Sequence, residues 1–201
     1  RAGEVTLPSH GAGQARPVEA FAQYRRTVPD DVAVRLLLIA DTHIPRRARA
    51  LPAQVRAEVA RADVVLHAGD WVAEDVLDDL DARAARLVGV WGNNDGPKLR
   101  ARLPEVARVE IGGVRIAMVH ETGPAAGRER RMAAAFPDAD VLVFGHSHIP
   151  WDTVAGPETA NPGLRLLNPG SPTDRRRQPV CTLMRAVVRD GGLADVELVP
   201  V

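Results

Sequence analysis

The sequence predicts an α/β fold: a mixed β-sandwich of two sheets, flanked by helices. In the first half, short apolar runs alternate with helix-like segments, the order that builds a parallel sheet. After Pro104 the sequence becomes richer in strands and contains a hairpin, which calls for a second sheet. The chain has 201 residues and is 45% hydrophobic, enough for one domain with a sizeable core.

We expect residues 33–201 to form this domain. Residues 1–32 contain glycine, proline and charged residues without apolar periodicity, and they are predicted to be a loop-rich N-terminal extension.

The first-half elements follow from their apolar patterns. Apolar runs bounded by turn residues predict strands at 34–40, 64–67 and 86–91. A helix is predicted at 52–60, where Pro52 suits a first turn. A second helix is predicted at 73–83, since Val76, Leu77 and Leu80 would share one face.

The second half supplies a hairpin and further strands. Residues 106–111 and 114–119 are separated only by Gly112-Gly113, a pair typical of a two-residue hairpin turn. A helix is predicted at 128–136, and strands are predicted at 141–144, 164–167, 180–188 and 194–199.

Charge and cysteine content exclude several classes of function. The 26 basic and 26 acidic residues cancel, so no overall field attracts long nucleic acid or a membrane surface. Short basic runs occur at Arg46-Arg47 with Arg49, at Arg128 with Arg130-Arg131, and at Arg175-Arg176-Arg177. Cys181 is the single cysteine, which fits a reducing compartment. Without a signal-peptide core or a run of about 18–20 apolar residues, we expect a cytoplasmic protein.

Five clusters of metal-binding residue types follow the predicted strands. They are Asp41-Thr42-His43, Gly69-Asp70, Gly92-Asn93-Asn94-Asp95, His120, and Gly145-His146-Ser147-His148. Carboxylate, imidazole and amide groups hold divalent cations of intermediate hardness. A lone aspartate or histidine after a strand is usually a capping or core residue. Because the clusters recur at strand ends, we expect them to converge at one sheet edge.

The spacing within two clusters supports a shared site. Asp41 and His43 are two residues apart, as are His146 and His148. In an extended segment both side chains of each pair would point to the same side. His67 lies inside a predicted strand, and we expect it to be a core residue or to support a ligand.

This pattern resembles the calcineurin-like metallophosphoesterases. The motifs D-x-H, G-D, G-N-x-D, H and G-H-x-H cover residues 41–148, and Asn168-Pro169-Gly170-Ser171 resembles the N-P-G-S signature of the small bacterial phosphodiesterase branch. Residues 41–45 with Leu51-Pro52 also resemble the branch that includes the small retromer subunit. The resemblance implies a four-layer α-β-β-α fold.

The resemblance also implies a ligand set for two divalent ions. Asp41, His43, Asp70 and His148 would hold one ion, and Asp70, Asn93, His120 and His146 would hold the second. Manganese is favoured, and iron, zinc, cobalt or nickel would also suit these donors. The implied reaction is in-line attack on phosphorus by a hydroxide that bridges the ions. Asp70, Asn93 and His120 are thus candidate catalytic residues, and Asp95 is a candidate for orienting a ligand histidine.

The sequence departs from the family pattern at three positions. Better-equipped members carry an Asp–His pair near the leaving group, where this chain has Ala73 and Asn94. Losing a general acid typically costs about 10²- to 10⁴-fold in rate, so good leaving groups should be favoured. Glu121 follows His120 where the family commonly has glycine, and it would add negative charge at the mouth of the site.

Nearby basic and aromatic residues have two interpretations each. Arg175-Arg176-Arg177 would either bind a substrate phosphate or form a solvated loop. Trp71 and Trp91 would either stack on a base or an aryl leaving group or pack in the core, and core packing is favoured for Trp91.

The leading hypothesis is a dinuclear phosphodiesterase acting on a small-molecule phosphoester. A phosphomonoesterase is the nearest alternative. A non-catalytic scaffold of the same fold is another alternative, although all seven implied ligands are present. A nuclease would need a basic groove. The sequence leaves the substrate and the oligomeric state open, a homodimer included.

Overall fold

The structure, a computed structural model, describes residues 33–201, and the predicted extension over residues 1–32 lies outside the described residues. Residues 33–201 form ten strands and four helices. The strands are β1 (Val34–Ile39), β2 (Val64–His67), β3 (Leu87–Gly89), β4 (Val106–Ile111), β5 (Val114–Val119), β6 (Val141–Val143), β7 (Trp151–Val154), β8 (Arg165–Asn168), β9 (Thr182–Arg189) and β10 (Gly192–Pro200). The helices are α1 (Ala53–Arg61), α2 (Glu74–Arg83), α3 (Pro97–Arg102) and α4 (Arg128–Ala135).

The strands form two sheets of five strands, and both sheets are mixed. The first has the order β10-β9-β1-β2-β3, in which β1, β2 and β3 run parallel and β9 is antiparallel to β1. The second has the order β4-β5-β6-β8-β7, in which β5, β6 and β8 run parallel. The predicted mixed two-sheet architecture is confirmed.

Alternation along the strands places one core between the sheets and another behind each of them. In β1, Leu36 and Leu38 face the second sheet, whereas Leu37 and Ile39 face the helices. Such strands, buried on both faces, read as continuous apolar runs. That explains why the β1 sequence shows no polar alternation.

Helices cover the outer face of each sheet. Val55 and Val59 of α1 and Leu77 and Leu80 of α2 pack on the first sheet. Ala133 of α4 lies in the core cluster behind the second sheet. The order of layers is therefore helices, sheet, sheet, helix, as predicted. None of the described helices is long and apolar enough to cross a membrane.

The predicted hairpin is confirmed at β4 and β5. Ile111 pairs with Val114, and the turn between them is Gly112-Gly113 with φ values of 51° and 82°. Both central residues therefore adopt the left-handed conformation that a type I′ turn requires and that glycine tolerates.

Two short elements were not predicted. Helix α3 follows Gly96 and has six residues, too few for a helical apolar period to be visible in the sequence. Strand β7 pairs antiparallel with β8 at the edge of the second sheet and alternates between half-buried and exposed residues. Four residues are too few to give a clear sequence pattern, and β7 is a strand only because it pairs with β8.

Core packing, which was favoured for Trp91 and left open for Trp71, is found at Trp71. Trp71 is fully buried, stacks on His67 with ring centroids 3.5 Å apart, and donates from Nε1 to the carbonyl of Val90 at 2.8 Å. It is therefore closed to substrate. Trp91 is half-buried, and the guanidinium of Arg100 lies 4.2 Å from its ring centroid.

We expect the Trp71→Phe variant to lose about 1–3 kcal/mol of unfolding free energy, because the Val90 carbonyl loses a buried donor. Trp91→Phe is the matched control. It keeps an aromatic face under Arg100, and an exposed cation–π contact contributes only about 0.5–1 kcal/mol. Urea unfolding followed by circular dichroism measures both. Equal losses in the two variants would contradict a structural role for the Trp71 hydrogen bond.

Candidate metal centre

The predicted ligands lie in five loops that follow strands of both sheets. Asp41 and His43 follow β1, Asp70 follows β2 and Asn93 follows β3, all in the first sheet. In the second sheet, His120 follows β5, and His146 and His148 follow β6. The structure therefore brings all seven together between two sheets. The expectation of a single sheet edge was wrong, since the parallel strands of each sheet direct their carboxyl ends to the same place.

The first cluster contains Asp41, His43, Asp70 and His148. His43 Nε2 lies 3.1 Å from His148 Nε2 and 3.5 Å from Asp70 Oδ2. Asp41 Oδ1 lies 3.3 Å from His148 Nε2 and 3.7 Å from His43 Nε2. All four side chains are buried. Four ligand atoms thus face one small volume.

The second cluster shares Asp70 with the first. Asn93 Oδ1 lies 3.0 Å from both His120 Nε2 and His146 Nδ1. Asp70 Oδ2 lies 3.3 Å from His120 Nε2. His120 is buried, whereas Asn93 and His146 are exposed. This cluster therefore opens to solvent, and the first is closed.

Two of the histidines are held in a defined tautomer. His120 Nδ1 lies 2.7 Å from the carbonyl of Ala68, and His148 Nδ1 lies 2.7 Å from the carbonyl of Asp174. Because a carbonyl only accepts, each Nδ1–H donates. In the neutral ring, Nε2 then presents a lone pair to the cluster, as a metal-ligating histidine requires.

The charge of the clusters also suits cations. Asp41 Oδ2 is buried and has no hydrogen-bond partner within residues 33–201. Burial by itself would raise the pKa of Asp41, but hydrogen bonds with His148 and His43 hold it below the usual value. Burial would lower the pKa of His120, whereas Asp70 and Asp41 raise it to about 8. The site thus attracts positive charge, and its donors fit divalent metal ions.

Asn94 binds the shared carboxylate. Its backbone N–H donates to Asp70 Oδ1 at 2.8 Å, and its side-chain amide donates to Oδ2 at 2.7 Å. Burial would raise the pKa of Asp70, but the contacts with His120 and Asn94 keep it well below the usual range. Asn94, which stands where the resemblance implied a histidine near the leaving group, therefore fixes a predicted ligand.

The contacts of Asp95 differ from those expected. Its Oδ2 accepts from the backbone N–H groups of Gly92 at 2.7 Å and Asp70 at 3.1 Å, and its Oδ1 accepts from Val72 at 2.7 Å. Burial raises the pKa of Asp95, although these hydrogen bonds act to lower it. Asp95 ties the loop after β2 to the loop after β3, and the described contacts include none with a histidine.

The ligand loops adopt an unusual backbone conformation. Five predicted ligands have positive φ: Asp41 (55°), His43 (44°), Asp70 (62°), His146 (69°) and His148 (58°). The expectation that an extended backbone aligns the paired side chains was therefore wrong. They converge through left-handed turns, which cost non-glycine residues about 1–3 kcal/mol each and cluster at functional sites.

The loop after β8 explains the N-P-G-S signature. Ser171 Oγ donates to the carbonyl of Asp41 at 2.7 Å, and Thr173 Oγ1 donates to that of Thr42 at 2.6 Å. Asp174, in the same loop, accepts from His148 Nδ1. Neither Thr173 nor Asp174 stands out in the sequence. Only the crossing of β8 beside β6 brings them to the ligands.

His67 supports the backbone of the ligand loops. It is fully buried, and burial lowers its pKa to about 3, so the ring is neutral at pH 7. Its Nδ1 accepts from the Gly69 N–H at 3.2 Å, so Nε2 donates to Thr42 Oγ1 at 3.1 Å. This agrees with the expected core or supporting position.

Gly69 is required by close packing between the clusters. A Cβ at this position would lie 2.7 Å from His120 Nδ1 and 2.9 Å from the backbone nitrogen of Gly92. Its φ of 88° is also unfavourable for other residues. The glycine of the G-D motif thus lets the three loops approach.

Glu121 lies at the open side of the second cluster. Its Oε1 is 3.6 Å from His146 Nδ1, and both side chains are about half exposed. Together with His120, these residues offer three ligand atoms within 4.8 Å of one another. Glu121 thus adds the expected negative charge at the mouth and also offers an oxygen beside the second cluster.

Comparisons with known proteins point to one family. The model of the calcineurin-like phosphoesterase superfamily domain matches residues 34–191. A probable metallophosphoesterase of Methanocaldococcus jannaschii is 32% identical over 167 residues, covering 82% of this chain and 80% of its own length.

Two solved structures resemble the chain over most of their length. A Thermotoga maritima protein solved by NMR is 31% identical with a TM-score of 0.66, covering 84% of this chain and 99% of its own. Vps29 from Entamoeba histolytica, crystallised in complex with Zn²⁺, is 26% identical with a TM-score of 0.65, covering 83% and 98%. Motifs, fold and relatives agree, and the chain belongs to the calcineurin-like phosphoesterase superfamily.

Proposed function

We propose that the chain is a phosphodiesterase that uses two divalent metal ions, one in each cluster. The observation that carries this proposal is the position of Asp70 Oδ2, which lies 3.5 Å from His43 Nε2 and 3.3 Å from His120 Nε2. An oxygen shared in this way suits a carboxylate that bridges two ions. Asp41, His43 and His148 would complete the first coordination sphere, and Asn93, His120 and His146 the second.

The donors favour a transition metal. Mixed oxygen and nitrogen ligands suit Mn²⁺, Fe²⁺, Zn²⁺, Co²⁺ or Ni²⁺. The Zn²⁺ complex of Entamoeba Vps29 supports an ion of this kind in the fold. When bound, two such ions supply the Lewis acidity that polarises a phosphoryl oxygen and makes water nucleophilic near neutral pH.

The residues of the chain would orient the substrate and exclude solvent on one side. The first cluster is buried, so a phosphate would enter over Asn93 and His146, which are exposed. Glu121 stands at that entrance and would repel a dianionic monoester more than a monoanionic diester. This charge favours the diester over the monoester.

The direct test is turnover of bis(p-nitrophenyl) phosphate beside p-nitrophenyl phosphate by chelator-treated protein to which Mn²⁺ is added. We expect Mn²⁺ to restore hydrolysis and the diester to have the higher kcat/KM. Preference for the monoester would replace the proposed substrate class. Two bound ions without turnover would favour the scaffold alternative.

Replacing Asp70 by alanine should lower kcat by more than about 100-fold, because even partners that only orient ligands contribute about 10- to 100-fold. The matched control is Asp78→Asn, since Asp78 pairs with Arg102 on the surface of α2. It should keep full activity. Circular dichroism verifies that both variants fold, and turnover that survives in Asp70→Ala would contradict the bridging role.

Metal binding should release a proton near neutral pH. With its pKa raised to about 8, His120 is mostly protonated at pH 7 in the metal-free protein, and a ligand must be neutral. The apparent affinity for Mn²⁺ should therefore rise about tenfold per unit from pH 6 toward pH 8 and then level off. Calorimetry in buffers of different ionisation enthalpy counts the proton, and no release at pH 7 would contradict this assignment.

The rate should depend strongly on the leaving group. Ala73 carries no proton donor, and Asn94 is engaged with Asp70. In a series of methyl aryl phosphates, we expect kcat to fall steadily as the pKa of the phenol rises, because general acid help of about 10²- to 10⁴-fold is missing. A flat dependence would show that another group of the chain protonates the leaving oxygen.

A further inference from the structure

We propose that arginines beside the first cluster bind a second anionic group of the substrate, so that the chain prefers phosphodiesters carrying an additional phosphate. This inference rests on the proposed function, because it assigns the substrate class of the same site. The arginines, here named the arginine rim, are Arg46, Arg47, Arg175, Arg176 and Arg177.

Two segments supply the arginine rim, and both are tied to predicted ligands. Arg47 donates its backbone N–H to the carbonyl of His43 at 2.8 Å. In the second segment, the carbonyl of Asp174 accepts from His148 Nδ1 at 2.7 Å. Arg47 Nε lies 3.2 Å from Asp174 Oδ2, which joins the segments. The arginine rim therefore lies on the side of the centre formed by His43 and His148.

The charge of these segments is strongly one-sided. Residues 43–51 and 171–180 contain six arginines and a single acidic residue, Asp174, although acidic and basic residues are equal over the whole chain. All six arginines are exposed, but Arg49 lines a surface pocket with Asp75 and Asp79 of α2 and is not part of the arginine rim. Within the described residues, Arg47 is the one arginine of the rim whose guanidinium pairs with a carboxylate, and the guanidinium of Arg175 donates to the carbonyl of Gln178. Such guanidinium groups bind phosphate oxygens in bidentate, charge-assisted hydrogen bonds.

On the opposite side of the mouth of the site the charge is negative. Glu121 lies beside His146, at the second cluster. A substrate with two anionic groups would therefore be oriented in one direction. Its reacting phosphate would lie over the clusters, and its second phosphate would lie over the arginine rim, away from Glu121.

The arginine rim indicates a compact substrate. A terminal phosphate adds about 1.5 to 2 negative charges at pH 7, which matches a local group of guanidiniums. Outside the two segments, acidic residues outnumber basic ones. A long nucleic acid would need a basic track that continues along the surface. We therefore assign a small phosphodiester with one additional phosphate.

The test compares two substrates with the same scissile bond: thymidylyl-thymidine, and the same dinucleotide with a 5′-phosphate. With the Mn²⁺-loaded full chain, we expect kcat/KM to be about 10- to 100-fold higher for the phosphorylated dinucleotide, as charge-assisted hydrogen bonds allow. The gain should lie mainly in KM. It should shrink as salt is raised from 0.01 to 0.15 M, where the screening length falls from about 30 to about 8 Å.

Variants locate the effect. In the Arg175→Gln/Arg176→Gln double variant, the ratio of kcat/KM between the two dinucleotides should approach one. Arg189→Gln is the matched control. Arg189 is an exposed arginine at the end of β9, next to the residue that pairs with the start of β1. It therefore lies far from the ligands that follow the end of β1. This variant should leave the ratio unchanged. Equal ratios in the wild type and the double variant would overturn the inference.

The remaining outcomes separate this inference from the proposed function. Hydrolysis of bis(p-nitrophenyl) phosphate without selectivity between the dinucleotides would leave the phosphodiesterase and overturn the arginine rim. If no ester is hydrolysed, the proposed function fails, and calorimetric binding of the two dinucleotides to the Mn²⁺-loaded protein decides on the arginine rim alone. Affinity that keeps rising with oligonucleotide length would replace the small substrate by nucleic acid.

Discussion

The burial of two carboxylates governs the architecture of the metal centre. Asp41 and Asp70 lie between the sheets, and their described contacts are with imidazoles and amides rather than with arginine or lysine. An isolated buried carboxylate is strongly unfavourable, so this charge must be balanced by protons on the histidines or by bound cations. The surrounding loops are built to keep these two groups ionised and close together.

Three supports hold these loops without contributing ligand atoms. Asp95 gathers backbone amides from two of them, His67 anchors Thr42, and Ser171 fixes the carbonyl of Asp41. Asp95 and Ser171 form hydrogen bonds to the main chain, whereas His67 bonds to the side-chain hydroxyl of Thr42. Positive φ angles at the ligands are tolerated because this network determines the backbone independently of the metal.

Much of this arrangement could be predicted from the sequence, because strand ends, glycine spacing and ligand types are local properties. Local pattern predicted β1 and the Gly112-Gly113 hairpin almost to the residue. It failed for β7, which is a strand only because β8 lies beside it. It left the placement of Trp71 open, since adjacency to Asp70 in sequence says nothing about which way the side chain turns. The role of Thr173 depends on a contact across 131 residues and that of Asp174 on a contact across 26 residues, and no local pattern contains either.

Both sheets supply predicted ligands, and this has a consequence for the stability of the fold. Asp41 and Asp70 extend from one sheet, and His120 and His148 from the other, so an ion held by them would act as a cross-link through the sandwich. Ligand binding to the folded state alone stabilises it by about 2.7 kcal/mol at a hundred times the dissociation constant. The free energy of unfolding would then fall with the metal concentration even while most sites were still occupied. A shortage of metal would therefore lower the stability of the protein before it stopped the chemistry.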